Sequence, residues 1–294
     1  MSAATGRSSS AAAGGPSSAA GPGRSGLVAW VDAVGLIGPG LADWPAARRA
    51  LLAAERFAPA PTAATLPPIL PPAERRRTSL AVRVALASGH QAIAASSFAA
   101  PQLHSVFASS GGDGVTCHLI CEALAGADRR VSPTQFHNSV HNAPSGYWGI
   151  AMHATTCSTS LCAYDASFAA GLIDAMALLA DRAEPVLLIA YDAPYPEPLR
   201  SCRPITDAFG LALVLAPTRS RPDAVGLSLQ FGTGEPTTLA DPALEALRRN
   251  IPTARALPLL RQLALGAPGL VTLDYLPPVL ADSAPTRLRI EVVG

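Results

Sequence analysis

The sequence lacks lysine: apart from histidine, all 22 basic residues among its 294 residues are arginine. This absence excludes mechanisms built on a lysine amine, including Schiff-base formation and the phosphate-binding P-loop. Charge of either sign is also scarce, because charged residues make up 15% of the chain and sum to +1. Such a chain has no net field that would gather nucleic acid or an anionic membrane, so we expect neither as a partner.

Long apolar runs are also missing, since Asp165 and Asp174 interrupt the best candidate for a membrane span, and we expect none. The five cysteines are an odd number without an export signal, which favours reduced thiols in a cytoplasmic protein over a disulfide framework. The glycine cluster at 111–114 lacks the dinucleotide-binding spacing. It predicts a loop, and we expect no cofactor.

Apolar sequence is abundant: 49% of the residues are hydrophobic, enough for a large buried core. Residues 1–25 differ, because Ala, Ser, Gly and Pro dominate them, and they predict a disordered leader outside the fold. Strand-like and helix-like stretches then alternate, and many strand-like runs are apolar without a break. This pattern predicts a layered α/β fold with a sheet rich in parallel strands. The predicted strands are 27–31, 105–109, 150–156, 185–191, 211–215, 225–231, 270–275 and 287–293.

Cys157 is the sharpest candidate for chemistry. It lies between the predicted strand at 150–156 and a predicted apolar helix at 160–180. Free N–H groups at a helix start lower the pKa of a thiol and can hold an oxyanion during acyl transfer. The pattern indicates a nucleophile, with a small buried core cysteine as the alternative. Cys162, one turn further along the predicted helix, is expected to be structural.

The segment 155–161 resembles the nucleophile segment of β-ketoacyl synthases, members of the thiolase-like superfamily. Residues 31–39, 132–142, 185–193 and 208–215 are similar to the family's opening strand, the stretch before the nucleophile and the two strands after it. These segments follow the family's order. The resemblance implies a thiolase-like layered α/β fold, and specifically the N-terminal half of a β-ketoacyl synthase with a short C-terminal tail.

A narrower resemblance concerns residues 74–79 and 160–168, which are similar to the short chain-length-factor-like subunits of aryl polyene and xanthomonadin pigment clusters. It implies a β-ketoacyl synthase-like N-terminal domain at 26–238 and a family-specific tail at 239–294. It also implies two partners: a full-length β-ketoacyl synthase, bound as a heterodimer, and an acyl carrier protein. Phe136 and Met152 are expected to contact the acyl tunnel or the partner, or else to belong to the core.

The resemblance breaks at the catalytic machinery. The second half of a complete condensing enzyme supplies two histidines, but all six histidines of this chain precede Cys157. Residues 231–234 echo the family's histidine segment with Phe231 in place of the imidazole. We therefore expect an accessory subunit that shapes or stabilises a type II polyketide or fatty-acid-like synthase. The alternative is a truncated thiol acyltransferase that uses Cys157 as nucleophile on an acyl carrier protein substrate.

A metal site is a further alternative. Cys117 and Cys121, followed by His137 and His141, have a spacing similar to that of zinc fingers. The intervening gap is longer than in the usual finger, and the two cysteines lie in an apolar helical stretch. We therefore expect no metal there.

Overall fold

The computed structural model describes residues 26–53, 56–278 and 284–294, so the predicted leader at 1–25 lies outside the described residues. The described chain alternates strands with helices and short 3₁₀ turns. The strands are β1 (Leu27–Ile37), β2 (His104–Ala108), β3 (Ser158–Leu161), β4 (Val186–Asp192), β5 (Phe209–Ala216), β6 (Val225–Gly232), β7 (Gly269–Leu276) and β8 (Thr286–Val293).

The helices vary from a single turn to sixteen residues. They are α1 (Trp44–Leu52), α2 (Pro72–Arg77), α3 (Leu80–Ala95), α4 (Gly114–Ala125), α5 (Pro133–Asn138), α6 (Ala143–Met152), α7 (Ser167–Arg182), α8 (Leu199–Cys202), α9 (Pro242–Asn250) and α10 (Leu257–Leu265). Within the described ranges, no helix is long and apolar enough to cross a membrane.

The eight strands form one sheet in the order β3-β2-β4-β5-β1-β6-β8-β7. β2 runs parallel to β3 and β4, whereas the other five pairings between described strands are antiparallel. The predicted layered α/β fold is confirmed, but the prediction of a parallel-rich sheet is wrong. β7 and β8 follow each other without an intervening helix, a connection that suits an antiparallel pair and not a parallel one.

Helices cover the sheet from both sides. On one face, α3 packs against β1, β4 and β5, and α6 packs against α3 and β2. Gly89 of α3 makes this packing close, because a Cβ there would lie 2.7 Å from both Trp148 and Ile189. On the other face, α7 packs with α1 and α10 over a larger core cluster. This arrangement buries every residue of β4 and β5.

The segment after residue 239 shares the main core. Leu244, Leu257 and Leu288 belong to the same buried cluster as Leu172 and Leu213. β8 also pairs with β6 along seven residue pairs, and β7 pairs with β8. The C-terminal segment therefore extends the sheet instead of forming a separate core.

Two predicted elements around the candidate nucleophile are wrong. The predicted strand at 150–156 is not a strand, because residues 150–152 are the end of α6, which ends at His153 with a φ of 54°, and the residues after it connect α6 to β3. The predicted helix at 160–180 begins only at Ser167, and the preceding Ser158–Leu161 is the strand β3. A short apolar run does not distinguish a buried strand from a buried helix, which explains the first error.

Candidate functional site

The sheet has an open edge at β3. This strand is the last in the sheet order and pairs only with β2, so its other edge has no strand partner among the described residues. Its first two residues, Ser158 and Thr159, are exposed. An unpaired strand edge presents a row of free main-chain donors and acceptors to another chain.

Large apolar side chains are exposed on the helices between β2 and β3 and in the turn that joins α5 to α6. The exposed fraction is 69% for Phe136 and close to half for the others, an amount that a monomer would normally bury or disperse. α4 contacts α5, and the ring of His137 meets Tyr147 of α6 edge-on at 6.1 Å. We call these residues, together with the open edge of β3, the apolar end face. They are Val115, Leu119, Phe136, Val140 and Ile150.

Phe136 is the one member of this face that the sequence predicted as a contact residue, and the other members were not predicted. Val115 and Leu119 are four residues apart on α4, and Val140 follows Phe136 by the same interval, so the apolar spacing was present in the sequence. That spacing marks a common helix side but does not say whether the side faces a core or solvent. Met152, the other predicted contact residue, is half-buried and packs against the α3-side core.

The strand-to-helix elbow carries Cys162 instead of Cys157. Cys157 precedes β3 and is exposed, whereas Cys162 follows β3 directly and lies before the 3₁₀ turn Tyr164–Ala166 that leads into α7. Contrary to the prediction, Cys157 does not lie at the start of a helix, because β3 and not a helix follows it. The sequence signal for the later helix start was Ser167, a residue type that favours the first turn of a helix.

Hydrogen bonds occupy the groups around the elbow. The Cys162 thiol donates to the carbonyl oxygen of Ser110 at 3.0 Å. The N–H of Ala163 donates to the hydroxyl of Ser167 at 3.0 Å, and this hydroxyl donates to the carbonyl of Tyr164. The thiol thus acts as a donor, and the first amide after it is already used within the elbow. An acyl acceptor needs the opposite arrangement, with a thiolate and a free oxyanion donor.

A buried carboxylate supports the loop that accepts this thiol. Asp192, at the end of β4, accepts hydrogen bonds from the N–H (3.0 Å) and hydroxyl (2.5 Å) of Ser110. It also accepts from the N–H (2.8 Å) and hydroxyl (2.6 Å) of Thr253 in the C-terminal segment. Burial raises the pKa of Asp192, and these four donors act in the opposite direction. Asp192 therefore links the elbow region to the C-terminal segment.

A second link is an arginine network. Asp165 accepts from Arg203 at 2.7 Å and from Arg255 at 2.8 Å, and the Arg203 guanidinium lies 3.5 Å from the centre of the Tyr164 ring. Tyr164 has a φ of 52°, a strained value for a residue with a side chain. Asp274 of β7 also pairs with the C-terminal cations, most closely with Arg287. These contacts hold the elbow in one conformation.

The segment that echoes the family's histidine motif lies far from the elbow. Phe231 is on β6, 59% exposed, and stacks on Tyr275 with ring centres 5.7 Å apart. β6 is five strands away from β3 in the sheet, a separation of about 24 Å at the usual strand spacing. Phe231 therefore does not occupy the place of an imidazole beside Cys162.

The zinc alternative finds no geometric support. Throughout the described ranges, no three His, Cys, Asp or Glu side chains lie close enough to share a metal ion. Burial and the neighbouring charge of Asp113 raise the pKa of Cys117, which disfavours the thiolate that zinc binds. His118, adjacent to Cys117, pairs instead with Glu122 at 3.2 Å.

Comparison with solved structures places this fold among ketosynthases. The ketosynthase ApeO in complex with its chain length factor ApeC from Xenorhabdus doucetiae gives a TM-score of 0.68 at 21% identity, covering 90% of this chain and 99% of that chain. The ishigamide ketosynthase/chain length factor gives 0.66 at 12% identity, with 91% and 100% covered. These TM-scores show a shared thiolase-like fold, and at such identities they show the fold alone.

A third solved structure, AntDE:AntF, is a type II polyketide synthase acyl-carrier protein in complex with its ketosynthase bound to the hexaketide. It gives a TM-score of 0.66 at 11% identity, covering 90% of this chain and 99% of that chain. No curated protein sequence matches the chain. The family model for the N-terminal domain of β-ketoacyl synthases matches residues 44–263, three quarters of the sequence, and crosses from the predicted domain into the predicted tail. The chain therefore belongs to the β-ketoacyl synthase N-terminal domain family.

Proposed function

We propose that this chain is a chain-length-factor-like accessory subunit that forms a heterodimer with a full-length β-ketoacyl synthase in a type II polyketide or fatty-acid-like pathway. The observation that carries the proposal is the apolar end face, where Phe136 on α5 and Val140 in the turn after it are exposed on the segment that leads to an open strand edge. Two of the fold neighbours are a ketosynthase together with a chain length factor, which supports this partner.

The elbow supports an accessory role over an independent catalytic one. The Cys162 thiol is a hydrogen-bond donor to Ser110, and the Ala163 amide is occupied by Ser167. Decarboxylative condensation also needs general acid–base help, and the histidines all precede the elbow in sequence. We propose that the partner performs the condensation and that this subunit stabilises it and limits the product length, with Phe136 and Met152 as contact residues.

We also propose a class of product, a cellular location and a second partner for this chain. The residue resemblance to pigment-cluster subunits supports a polyene product, and the five free thiols support a cytoplasmic location. An acyl carrier protein is the second proposed partner. Its acidic surface would meet Arg75 and Arg76 of α2, which are exposed, whereas Arg77 pairs with Glu74 at 3.1 Å.

The experiment is co-purification with the candidate β-ketoacyl synthase from the same organism. Wild-type chain should co-elute with the synthase as a heterodimer, and the double variant Phe136→Asp, Val140→Asp should bind at least about 10-fold more weakly, because charges would be buried in an apolar contact. Leu270→Asp is the matched control, since Leu270 is equally exposed but lies at the far end of the sheet on β7. Equal binding by the double variant and the control would overturn the proposed interface.

The competing function is acyl transfer through a thiol of this chain. Cys157 is exposed, as the reaction requires, and Cys162 occupies the strand-to-helix elbow. Both cysteines are therefore tested separately, as Cys157→Ala and Cys162→Ala, in the acylation measurement that closes the Discussion.

A further inference from the structure

A cavity of about 410 Å³ lies between α1, the end of α10 and the loop that leads into β6. It is separate from the apolar end face, because its walls come from β1, Trp44 and Leu263 instead of from α4 to α6. Its size is in the range of small-molecule sites in proteins.

One wall of the cavity is a stretch of β1 whose edge has no strand partner among the described residues. β1 pairs with β5 as far as Ile37 but with β6 only as far as Val31. On the edge left open, the N–H of Leu36 donates to the side-chain oxygen of Gln91 at 3.1 Å. Main-chain groups alternate between the two edges of a strand, so Val34 presents its N–H and C=O to the same edge, and Val34 lines the cavity.

Three arginines line the cavity, and among the described residues one of them, Arg221, forms an ion pair. Arg221 makes a two-pronged pair with Asp223, at 2.8 and 3.0 Å. Arg48 donates instead to the carbonyl of Ala264, and Arg219 to that of Pro222. Over the residues that the structure covers, neither Arg48 nor Arg219 has a carboxylate within ion-pair distance.

The remaining side-chain carboxylate of the cavity wall is already satisfied. Asp32 is buried and accepts hydrogen bonds from the hydroxyl of Ser96 (2.7 Å), the N–H of Ser97 (2.8 Å) and the hydroxyl of Ser220. These three donors occupy its oxygens, and the structure shows no ion pair between Asp32 and an arginine of the described residues. The two guanidinium groups keep donors for a ligand.

We propose that this cavity binds a small organic carboxylate that carries an apolar group. The carboxylate would pair with Arg48 and Arg219, which are exposed residues of the cavity wall and whose planar donors match its geometry, and would accept from the N–H of Val34. The apolar group would lie against Trp44 and Leu263, which form the apolar part of the wall. The proposal does not depend on the accessory function proposed above.

Tryptophan fluorescence can report this binding, because Trp44 lines the cavity and Trp30 lies under Arg219 at 5.2 Å. Hexanoate is titrated into the purified full chain, or into its complex if the chain requires a partner to remain in solution. We expect a saturable change that Arg48→Gln and Arg219→Gln each weaken at least about 10-fold through loss of a charged pair. Arg49→Gln is the matched control, since Arg49 is next to Arg48 on α1 and also exposed but does not line the cavity.

Two neutral or inorganic probes define the chemistry. Hexanamide should bind at least about 10-fold more weakly than hexanoate, because it lacks the charge that the arginines recognise. Inorganic phosphate should also bind more weakly, because it cannot contact the apolar wall. Equal binding of hexanoate to the Arg48, Arg219 and Arg49 variants, equal binding of hexanamide, equal binding of phosphate, or no saturation at millimolar hexanoate would each overturn the proposal. Circular dichroism of every variant verifies that the fold is intact.

Discussion

The two halves of the sheet are covered differently. From β3 to β1, helices pack on both faces, and β4 and β5 have no exposed residue. In β6, β8 and β7, one face joins the main core while Gln230, Arg289, Glu291 and Leu270 on the other are exposed. The difference shows in sequence pattern, because a strand buried on both faces is continuously apolar and a half-exposed antiparallel strand alternates.

We expect the largest effect from deleting residues 239–294, which supply β7 and β8 of the half-exposed part of the sheet. A chain ending at residue 238 loses Leu244, Leu257, Leu260 and Leu288 from the shared core and leaves β6 without its partner β8. We expect no cooperative unfolding transition in circular dichroism or calorimetry, and strong binding of a hydrophobic dye. A cooperative transition in the truncated chain would show that residues 239–294 are an accessory tail to an independent domain.

The next test compares one leucine from each half. Leu188 of β4 is fully buried, so Leu188→Ala should lower the free energy of unfolding by about 2–5 kcal/mol. Leu270 of β7 is 50% exposed, and Leu270→Ala should cost less than about 0.5 kcal/mol. Urea denaturation measures both. Similar losses for the two variants would mean that the open face of β7 is covered in solution.

Asp192 provides a third test of the comparison, because its carboxylate is hydrogen-bonded both to Ser110 near the elbow and to Thr253 in the C-terminal segment. Asp192→Ala leaves the donors of Ser110 and Thr253 without their buried acceptor, so we expect a loss of about 3 kcal/mol in the free energy of unfolding. Ser110→Ala removes one donor hydroxyl and should cost about 1 kcal/mol. We also expect faster alkylation of Cys162 in Asp192→Ala, measured by mass spectrometry of its peptide. Unchanged stability and alkylation would contradict the linking role.

The smallest expected effect is a pH dependence at β1, where the two halves meet. Burial would raise the pKa of Asp32, but the donors of Ser220, Ser96 and Ser97 outweigh it and lower the pKa below its ordinary value. A lowered pKa contributes stability above the ordinary aspartate pKa of about 4, and that stability is lost as the pH falls. The stability difference between wild type and Asp32→Asn should therefore shrink from pH 6 towards the acid range. A difference that is independent of pH would contradict this assignment.

The sequence predicts this sheet best where each strand has a clear apolar pattern. The unbroken run at 185–191 predicts β4, and the alternating run at 287–293 predicts β8, within one residue of each observed end. β3 was missed because Ser158–Leu161 is a short edge strand that packs little, so burial imposes no pattern on it. The strand predicted at 150–156 overlaps the last three residues of α6, because apolar residues are consecutive there on a helix buried mainly through Tyr147 and Trp148.

The candidate site was less predictable than the fold. The elbow position depends on where β3 ends, and the missed strand moved the candidate cysteine by five residues, from Cys157 to Cys162. The cavity at Arg48 depends on residues from β1, α1, α10 and the loop before β6, which are distant in sequence. Such a juxtaposition follows from tertiary packing and leaves no local motif.

The measurement that tests the central claim most directly is the intact mass of both subunits after the purified heterodimer is incubated with acyl-loaded carrier protein. An accessory subunit predicts that the mass gain of one acyl group occurs on the β-ketoacyl synthase alone and is unchanged in Cys157→Ala and Cys162→Ala. A gain on this chain that disappears in either variant would contradict the account and identify that cysteine as a working acyl acceptor.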